Sequence, residues 1–111
     1  MSALFQLVGG GLGVMPDPAD NPDNHVVPHH EAGTRVSFEA LNVGDQAGTA
    51  SVEVTVDGAA VGDWSEAVPP RSNAVGFVSL GRLSAGQHEI VATVSPGVGD
   101  MASNSNTVDI G

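Results

Sequence analysis

Cysteine, lysine and tyrosine are all absent from this chain of 111 residues. Without cysteine, disulfide bonds and thiol chemistry are excluded, but the compartment stays open because many secreted bacterial proteins also lack this residue. The few aromatic side chains, three phenylalanines and one tryptophan, argue against a sugar-stacking surface, which usually needs exposed tryptophan or tyrosine rings. No stretch approaches the ~20 apolar residues of a membrane-spanning helix, so membrane insertion is not expected.

Positive charge is nearly missing as well. Thirteen acidic residues face only Arg35, Arg71 and Arg82, and the formal net charge is −10. This balance argues against nucleic acid and anionic membranes as partners, because their phosphates would be repelled, and it favours cations or a basic partner. The first residues carry neither the positive charge nor the long apolar run of a signal peptide. The sequence therefore predicts either a cytoplasmic chain or the mature part of a longer protein.

Glycine and proline are plentiful, with 15 and 7 copies, which fits short turns between strands better than long helices. Residues 33–58 show the clearest pattern: two stretches of alternating apolar and polar residues, joined by a tight turn at 42–45. Asp57-Gly58 is a hairpin turn signal. The sequence predicts an all-β fold, an Ig-like or fibronectin-like sandwich of two antiparallel sheets. About seven strands are expected, at residues 2–8, 35–41, 49–56, 60–64, 74–80, 88–95 and 105–110.

A single domain is expected to cover residues 1–111. In it, residues 1–13 form a first strand, residues 14–32 form a long loop rich in proline, aspartate and histidine, and residues 33–111 form the sandwich body. The glycine-rich stretch at 9–13 lacks the sequel of a phosphate loop and predicts a flexible or bulged edge strand. A loop as long as 14–32 is uncommon in a compact domain unless it is functional or disordered.

The long loop holds two sets of candidate metal ligands. His25, His29, His30 and Glu31 offer the nitrogen and oxygen atoms that zinc or nickel prefers, but Pro28 excludes the regular helix that metalloproteases use. An exposed polar loop is the alternative interpretation, and the sequence requires no cofactor.

Asp17, Asp20 and Asp23 offer carboxylate oxygens for calcium. Their spacing is not that of an EF-hand loop, so a solvated acidic loop is the competing interpretation.

No combination of residues predicts an enzyme. Serine, histidine and aspartate occur without the Gly-x-Ser-x-Gly context of a hydrolase nucleophile, and no catalytic residue is assigned. His88 is predicted to bond a turn carbonyl, and Trp64 is predicted to pack over the edge of the sandwich.

Four motifs over residues 33–110 form a recognisable set: VSFEALNVGDQAG with Asn42 and Gly44, VEVTVDGAAVG with Asp57 and Gly58, LSAGQHEIVATVSP with Gly86, His88 and Ile90, and SNSNTVDI with Asn104 and Asn106. Together they resemble the CARDB group, the cell-adhesion-related Ig-like domain of bacteria and archaea. The resemblance implies a seven-stranded sandwich, an extracellular or cell-surface adhesion or spacer role, and no enzyme activity. Two features depart from the group: Met101-Ala102-Ser103 stands where an acidic residue is usual, and the long loop is not part of its pattern.

Three functions remain open from the sequence. The first is a non-catalytic module for protein interaction, adhesion or spacing. The second is an oligomerising structural or assembly component of the phage or injection-apparatus type, and the third is a metal- or ligand-binding module that uses residues 17–31. A protein partner or self-association is expected, with a homodimer through the N-terminal strand because residues 2–8 are apolar on both faces.

Overall fold

The computed structural model describes residues 3–111, and for residues 9–11, 100 and 101 it describes only the backbone. Residues 1 and 2, the beginning of the predicted first strand, therefore lie outside the described part. Within that part the one helix is a short 3-10 turn, Gly99–Ala102, and no helix is long and apolar enough to cross a membrane. The strands are β1 Phe5–Pro16, β2 Thr34–Asn42, β3 Gly48–Val56, β4 Ala59–Val68, β5 Asn73–Gly81, β6 Gly86–Ser95 and β7 Ser103–Ile110.

The strands form two antiparallel sheets, one of three strands in the order β1-β2-β5 and one of four in the order β4-β3-β6-β7. The chain changes sheet after β2, after β4 and after β5, and this order confirms the predicted Ig-like or fibronectin-like sandwich. We call the end of the sandwich near Phe5, Asn42 and Ser95 the amino pole. The opposite end, near Pro16 and Ile110, is the carboxy pole.

The core lies between the two sheets and is built from alternate residues of each strand. The strand β2 shows the alternation without interruption from Thr34 to Asn42, as expected for strands with one face in a dry layer. Trp64 on the edge strand β4 is half-buried, and its ring meets the ring of Phe38 edge-on at a centroid distance of 5.3 Å. Gly76 leaves room for this pair, because a Cβ there would lie 2.5 Å from Trp64. The predicted packing of Trp64 is confirmed.

The turn after Asn42 joins two sheets. The strand β2 pairs with β1 and β5, whereas β3 pairs with β4 and β6, so the two most regular strands are not neighbours in one sheet. The Asn42 side chain is fully buried at this corner. Its amide donates to the carbonyls of Gln46 and Val68 at 2.8 and 3.1 Å and accepts from the Gly44 N–H at 2.9 Å. The buried amide stabilises the crossing because each of its hydrogen-bonding atoms has a partner.

The first strand is longer than predicted. The strand β1 continues to Pro16, so the predicted boundary between strand and loop at residues 13 and 14 is wrong and the loop covers residues 17–33. The predicted bulge is confirmed: Val8 pairs with Glu39 and Gly13 with Ser37, which leaves residues 9–12 opposite a single residue. The Leu12 carbonyl in this bulge accepts from the Asn106 amide at 3.0 Å, so the extra residues reach towards the other sheet.

The other six strands also exceed their predicted bounds, most of them by only one or two residues. The strand β4 covers Ala59–Val68 and not only residues 60–64, and β7 begins at Ser103. Both are edge strands of the four-stranded sheet. Most of β4 is exposed, so its sequence carries no alternation that would predict its full length. The hairpin turn between β3 and β4 is confirmed, with positive φ angles of 52° at Asp57 and 88° at Gly58.

Candidate functional site

The long loop crosses the carboxy pole, and we refer to residues 17–33 as the polar loop. Backbone hydrogen bonds close it at its base: the Asp17 N–H donates to the Gly33 carbonyl at 2.8 Å, and the Gly33 N–H donates to the Asp20 carbonyl at 2.8 Å. These bonds draw the two ends of the loop together. The loop is thereby attached to the sandwich as a folded segment, which gives its side chains defined positions.

The three aspartates of the predicted calcium set have separate surroundings. Asp17 is buried and accepts from the Ser79 hydroxyl at 2.7 Å, and this bond is the main cause of its lowered pKa. Asp20 accepts two bonds from the guanidinium of Arg82, at 2.9 and 2.7 Å, and this contact lowers the pKa of Asp20 and raises the pKa of Arg82. Asp23 is exposed. Two of the three carboxylates thus bind side chains of the sandwich body.

The histidine part of the predicted site is brought together. His25, His29 and Glu31 each offer a ligand atom, and these atoms lie within 4.8 Å of one another. This is the group of potential metal ligands that the described side chains form, and it does not include the three aspartates. The rings of His25 and His29 stack at 4.0 Å, and the ring of His30 stacks on that of His29 at 4.4 Å. We call His25, His29, His30 and Glu31 the histidine cluster.

Backbone bonds hold the histidine cluster in place. The side chain of Asn21 binds both the N–H and the carbonyl of His25, at 2.8 and 2.9 Å. The carbonyl of Gly111, just after β7, accepts the N–H of His30 at 2.8 Å and its ring Nδ1 at 2.7 Å. The Gly111 N–H donates to the Pro28 carbonyl at 3.2 Å. The cluster is therefore attached to the end of the last strand.

The ring nitrogens of the cluster differ in their partners. The Nδ1 of His29 accepts from the Glu31 N–H at 3.0 Å. The Nε2 of His25 is buried and has no hydrogen-bond partner. Because the Nδ1 of His30 donates to a carbonyl, its Nε2 keeps a lone pair when the ring is neutral, and this atom lies 3.7 Å from the Glu31 carboxylate.

His88, outside the histidine cluster, makes two contacts, and the sequence predicted only one of them. The Nδ1 of His88 binds the Asp57 carboxylate at 2.6 Å, and its Nε2 lies 2.8 Å from the Ser84 carbonyl and 3.3 Å from the Ser84 hydroxyl. The predicted bond between His88 and a turn carbonyl is confirmed. Its partner Asp57 is 31 residues away in the chain, and no local pattern links the two. We call this contact the Asp57–His88 clamp.

The clamp has the residue types of a hydrolase triad but not its arrangement. A catalytic base needs a lone pair on the nitrogen that faces the serine, to accept the hydroxyl proton. In this chain Nε2 faces the Ser84 carbonyl, which can only accept, so this nitrogen carries a hydrogen. Both ring nitrogens thus donate, and the bond to Asp57 is the main cause of the raised pKa of His88. The Glu89 N–H, at 2.9 Å, and then His88 lower the pKa of Asp57.

Neither a family model nor a curated protein sequence matches the chain. Solved structures match over nearly its whole length. One is the solution structure of a CARDB domain from Pyrococcus furiosus, with a TM-score of 0.67 and coverage of 98% of this chain and 97% of that domain. The chain has the fold of a CARDB domain. Sequence identity is 16%, so the likeness concerns the fold alone.

Two other structures show where this CARDB-type fold occurs. A crystal structure of the Pyrococcus furiosus domain in complex with di-metal ions covers 95% of this chain and 94% of that one, with a TM-score of 0.64 and 19% identity. A β-glucosidase from Erythrobacter marinus matches 98% of this chain at a TM-score of 0.67 and 17% identity. This chain spans only 16% of the length of that enzyme. A sandwich with this fold is thus found as an isolated domain of one protein and within the much longer chain of another.

Proposed function

We propose that this chain is a non-catalytic CARDB-type module that spaces or connects other parts of a protein at a cell surface. The observation that carries the proposal is the direction of its first and last strands. The strand β1 begins at the amino pole, where Phe5 pairs with Asn42, and β7 ends at the carboxy pole, where Ile110 pairs with Gly86. Chain segments joined to these two strands would leave the sandwich at opposite ends.

The shape of the molecule supports this role. The chain, with its polar loop, extends 47 Å along its longest axis and 23 and 21 Å along the other two. The strands run between the two poles. A module joined in series through β1 and β7 therefore adds nearly its full length to a protein. A module with both ends at one pole would hang to the side and add little.

The similar structures are consistent with modular use. In the Erythrobacter marinus enzyme the matching sandwich is a small fraction of the chain, whereas the Pyrococcus furiosus domain is matched almost completely. Adhesion and protein interaction are the more specific functions that we include in this proposal. The contacts of the Asp57–His88 clamp support its non-catalytic part, because the histidine that lies beside a serine has no nitrogen available as a base.

The proposal is tested by joining two copies in series through a short, stiff linker and measuring small-angle X-ray scattering. We expect a maximum dimension close to twice the 47 Å length of one copy. A matched control joins the copies through a long glycine-serine linker, which behaves as a flexible coil and gives a broad distribution of distances. A folded particle in which the two stiffly joined copies lie side by side would overturn the spacing role.

Self-association through the first strand, with an oligomeric assembly role as its consequence, stays a prediction. The beginning of β1 already has a neighbour on its outer side: the Phe5 N–H donates to the Pro96 carbonyl, and the Phe5 carbonyl accepts from the Val98 N–H, both at 3.0 Å. A partner strand at this position must replace these two bonds. The scattering of a single copy provides the solution mass, and a mass twice the 11.1 kDa of the chain would support a dimer.

A further inference from the structure

The histidine cluster has unused hydrogen-bonding and metal-binding capacity that a spacer does not need. From its geometry we propose that His25, His29 and Glu31 bind one divalent transition-metal ion, with zinc as the expected ion. The site lies at the carboxy pole, where the polar loop meets the end of β7. This inference goes beyond the spacing function and does not depend on it.

The distances place the three ligands near, but not at, a coordinating geometry. Their ligand atoms lie within 4.8 Å of one another. Tetrahedral zinc with nitrogen and oxygen ligands at about 2.0–2.1 Å brings ligand atoms to about 3.3 Å from each other. The parallel rings of His25 and His29, 4.0 Å apart, must therefore tilt towards each other when the ion binds. The rings must rotate about their side-chain bonds for this, while hydrogen bonds from Asn21 hold the backbone at His25.

The partners of the ring nitrogens support a metal ion at this position. The Nε2 of His25 is buried without a hydrogen-bond partner, and a buried polar atom in this state is unfavourable. A metal ion would satisfy it. The Nδ1 of His30 donates to the Gly111 carbonyl, which holds this ring beside His29 at the edge of the site.

The ligand types decide which ion is expected. Two imidazoles and one carboxylate suit zinc and other transition metals, whereas calcium takes six to eight oxygen ligands. The aspartates that might add oxygen atoms are engaged elsewhere, Asp17 with Ser79 and Asp20 with Arg82. Arg82 is the nearby competing cation, and its guanidinium is held by two bonds to Asp20.

Binding also has a cost that limits affinity. In the metal-free chain the lone pair on Nδ1 of His29 accepts from the Glu31 N–H. A neutral imidazole has one lone pair on its ring nitrogens, so a metal at His29 must take this one and break the hydrogen bond. We therefore expect weaker binding than in structural zinc sites whose ligands have no such competing bond.

The test is calorimetric titration of zinc chloride into the intact, chelator-treated chain at neutral pH. We expect one zinc ion per chain and no heat with calcium chloride. His25→Ala and Glu31→Gln should each weaken binding by about tenfold or more. Cobalt should show the visible absorption of a four-coordinate ion in the wild-type chain and lose it in Glu31→Gln.

Matched controls separate this site from binding elsewhere. His88→Gln removes the histidine outside the polar loop, and Glu53→Gln removes an exposed carboxylate on β3. Both should bind zinc as the wild type does. The proposal is overturned by an absence of zinc binding, by one ion per two chains, or by binding that survives both His29→Ala and Glu31→Gln. Because Glu31 is exposed, its variant is expected to fold, and circular dichroism checks this.

Discussion

His88 and the histidine cluster lie at the same pole of the sandwich, but their ring nitrogens differ in how many hydrogen-bond partners they have. Both nitrogens of His88 donate, one to the Asp57 carboxylate and one to the Ser84 carbonyl. In the cluster, His25 has a buried nitrogen without a partner, and His30 turns a nitrogen towards a carboxylate at 3.7 Å. The difference teaches that the role of a histidine depends on which neighbours already use its nitrogens, because a fully bonded ring can fasten strands but cannot bind an ion.

The two regions also differ in what holds them. The clamp joins the turn between β3 and β4 to the beginning of β6, and the hydrogen bonds of regular strands fix both elements. The histidine cluster lies on a loop without regular structure, and the Asn21 side chain and the Gly111 backbone hold it. We therefore expect the clamp to contribute to stability without any ligand and the cluster to contribute chiefly when an ion is bound.

The largest expected loss of stability comes from a core residue close to the clamp. The smaller losses expected for the clamp and for the histidine cluster can be compared with it. Ile90 is fully buried in β6, two residues after His88. Ile90→Ala removes buried methyl groups and leaves a cavity, so we expect a loss of about 2–5 kcal/mol in the free energy of unfolding. Urea denaturation measures it. Ile90→Val should cost only about 0.5–1.5 kcal/mol, and an equal loss in both variants would contradict a packing origin.

The next effect separates the two regions directly. In the presence of a chelator, His88→Ala should lower the melting temperature by several degrees, because it leaves Asp57 and the Ser84 carbonyl without their shared donor. His29→Ala should lower it much less, since that side chain receives one hydrogen bond at the surface. Differential scanning calorimetry of both variants makes the comparison.

Ser84→Ala is the matched control for the clamp. It removes the hydroxyl 3.3 Å from His88 and keeps the carbonyl that is 2.8 Å away, so its melting temperature should stay close to that of the wild type. A drop as large as that of His88→Ala would show that the hydroxyl, and not the carbonyl, is the main partner.

The smallest effect is a pH dependence that belongs to the clamp. The pKa of His88 is raised above its ordinary value of 6.5, so its contribution to stability is fully present below pH 6.5 and is lost as the pH rises through the raised value. The pKa of Asp57 is lowered below 3.8, so its contribution is present above pH 3.8 and is lost as the pH falls through the lowered value. The pair therefore stabilises the fold most between these two ordinary values.

Melting temperatures of the wild type and His88→Gln, measured from acid to alkaline pH, check this window. The difference between the two proteins should be greatest between pH 3.8 and 6.5 and should shrink as the pH rises further. A difference that stays constant up to alkaline pH would mean that the ring acts by packing and not by its charge.

The sandwich was predictable because the patterns that indicate it lie within single strands and turns, among residues close together in the sequence. Alternation along β2, β3 and β6 shows which side chains face the core, and Asp57-Gly58 has the chemistry of the turn that joins β3 to β4. Alternation does not say which strands are neighbours, so the separation of β2 and β3 into different sheets was not visible. The exposed edge strand β4 lacks the alternation, and its full length was missed for that reason.

The candidate site was only partly predictable because it depends on contacts between residues that are far apart in the sequence. The residue types of His25, His29 and Glu31 suggested metal ligands, but their approach depends on backbone bonds to Gly111 at the other end of the chain. The pairing of Asp20 with Arg82 spans 62 residues and left no pattern in the sequence. Such contacts follow from the register of strands, which the residues of one strand alone do not determine.

The start of β1 and the end of β7 lie at opposite poles, and this placement has a mechanical consequence. A pulling force applied between the two ends of the chain acts along the strands, while the hydrogen bonds of β1 to β2 run across them. The bonds are then loaded in shear and must rupture together, whereas a force across the strands would open them one at a time. The two bonds between Phe5 and residues 96–98 add to the resistance at the point where tension enters the first strand.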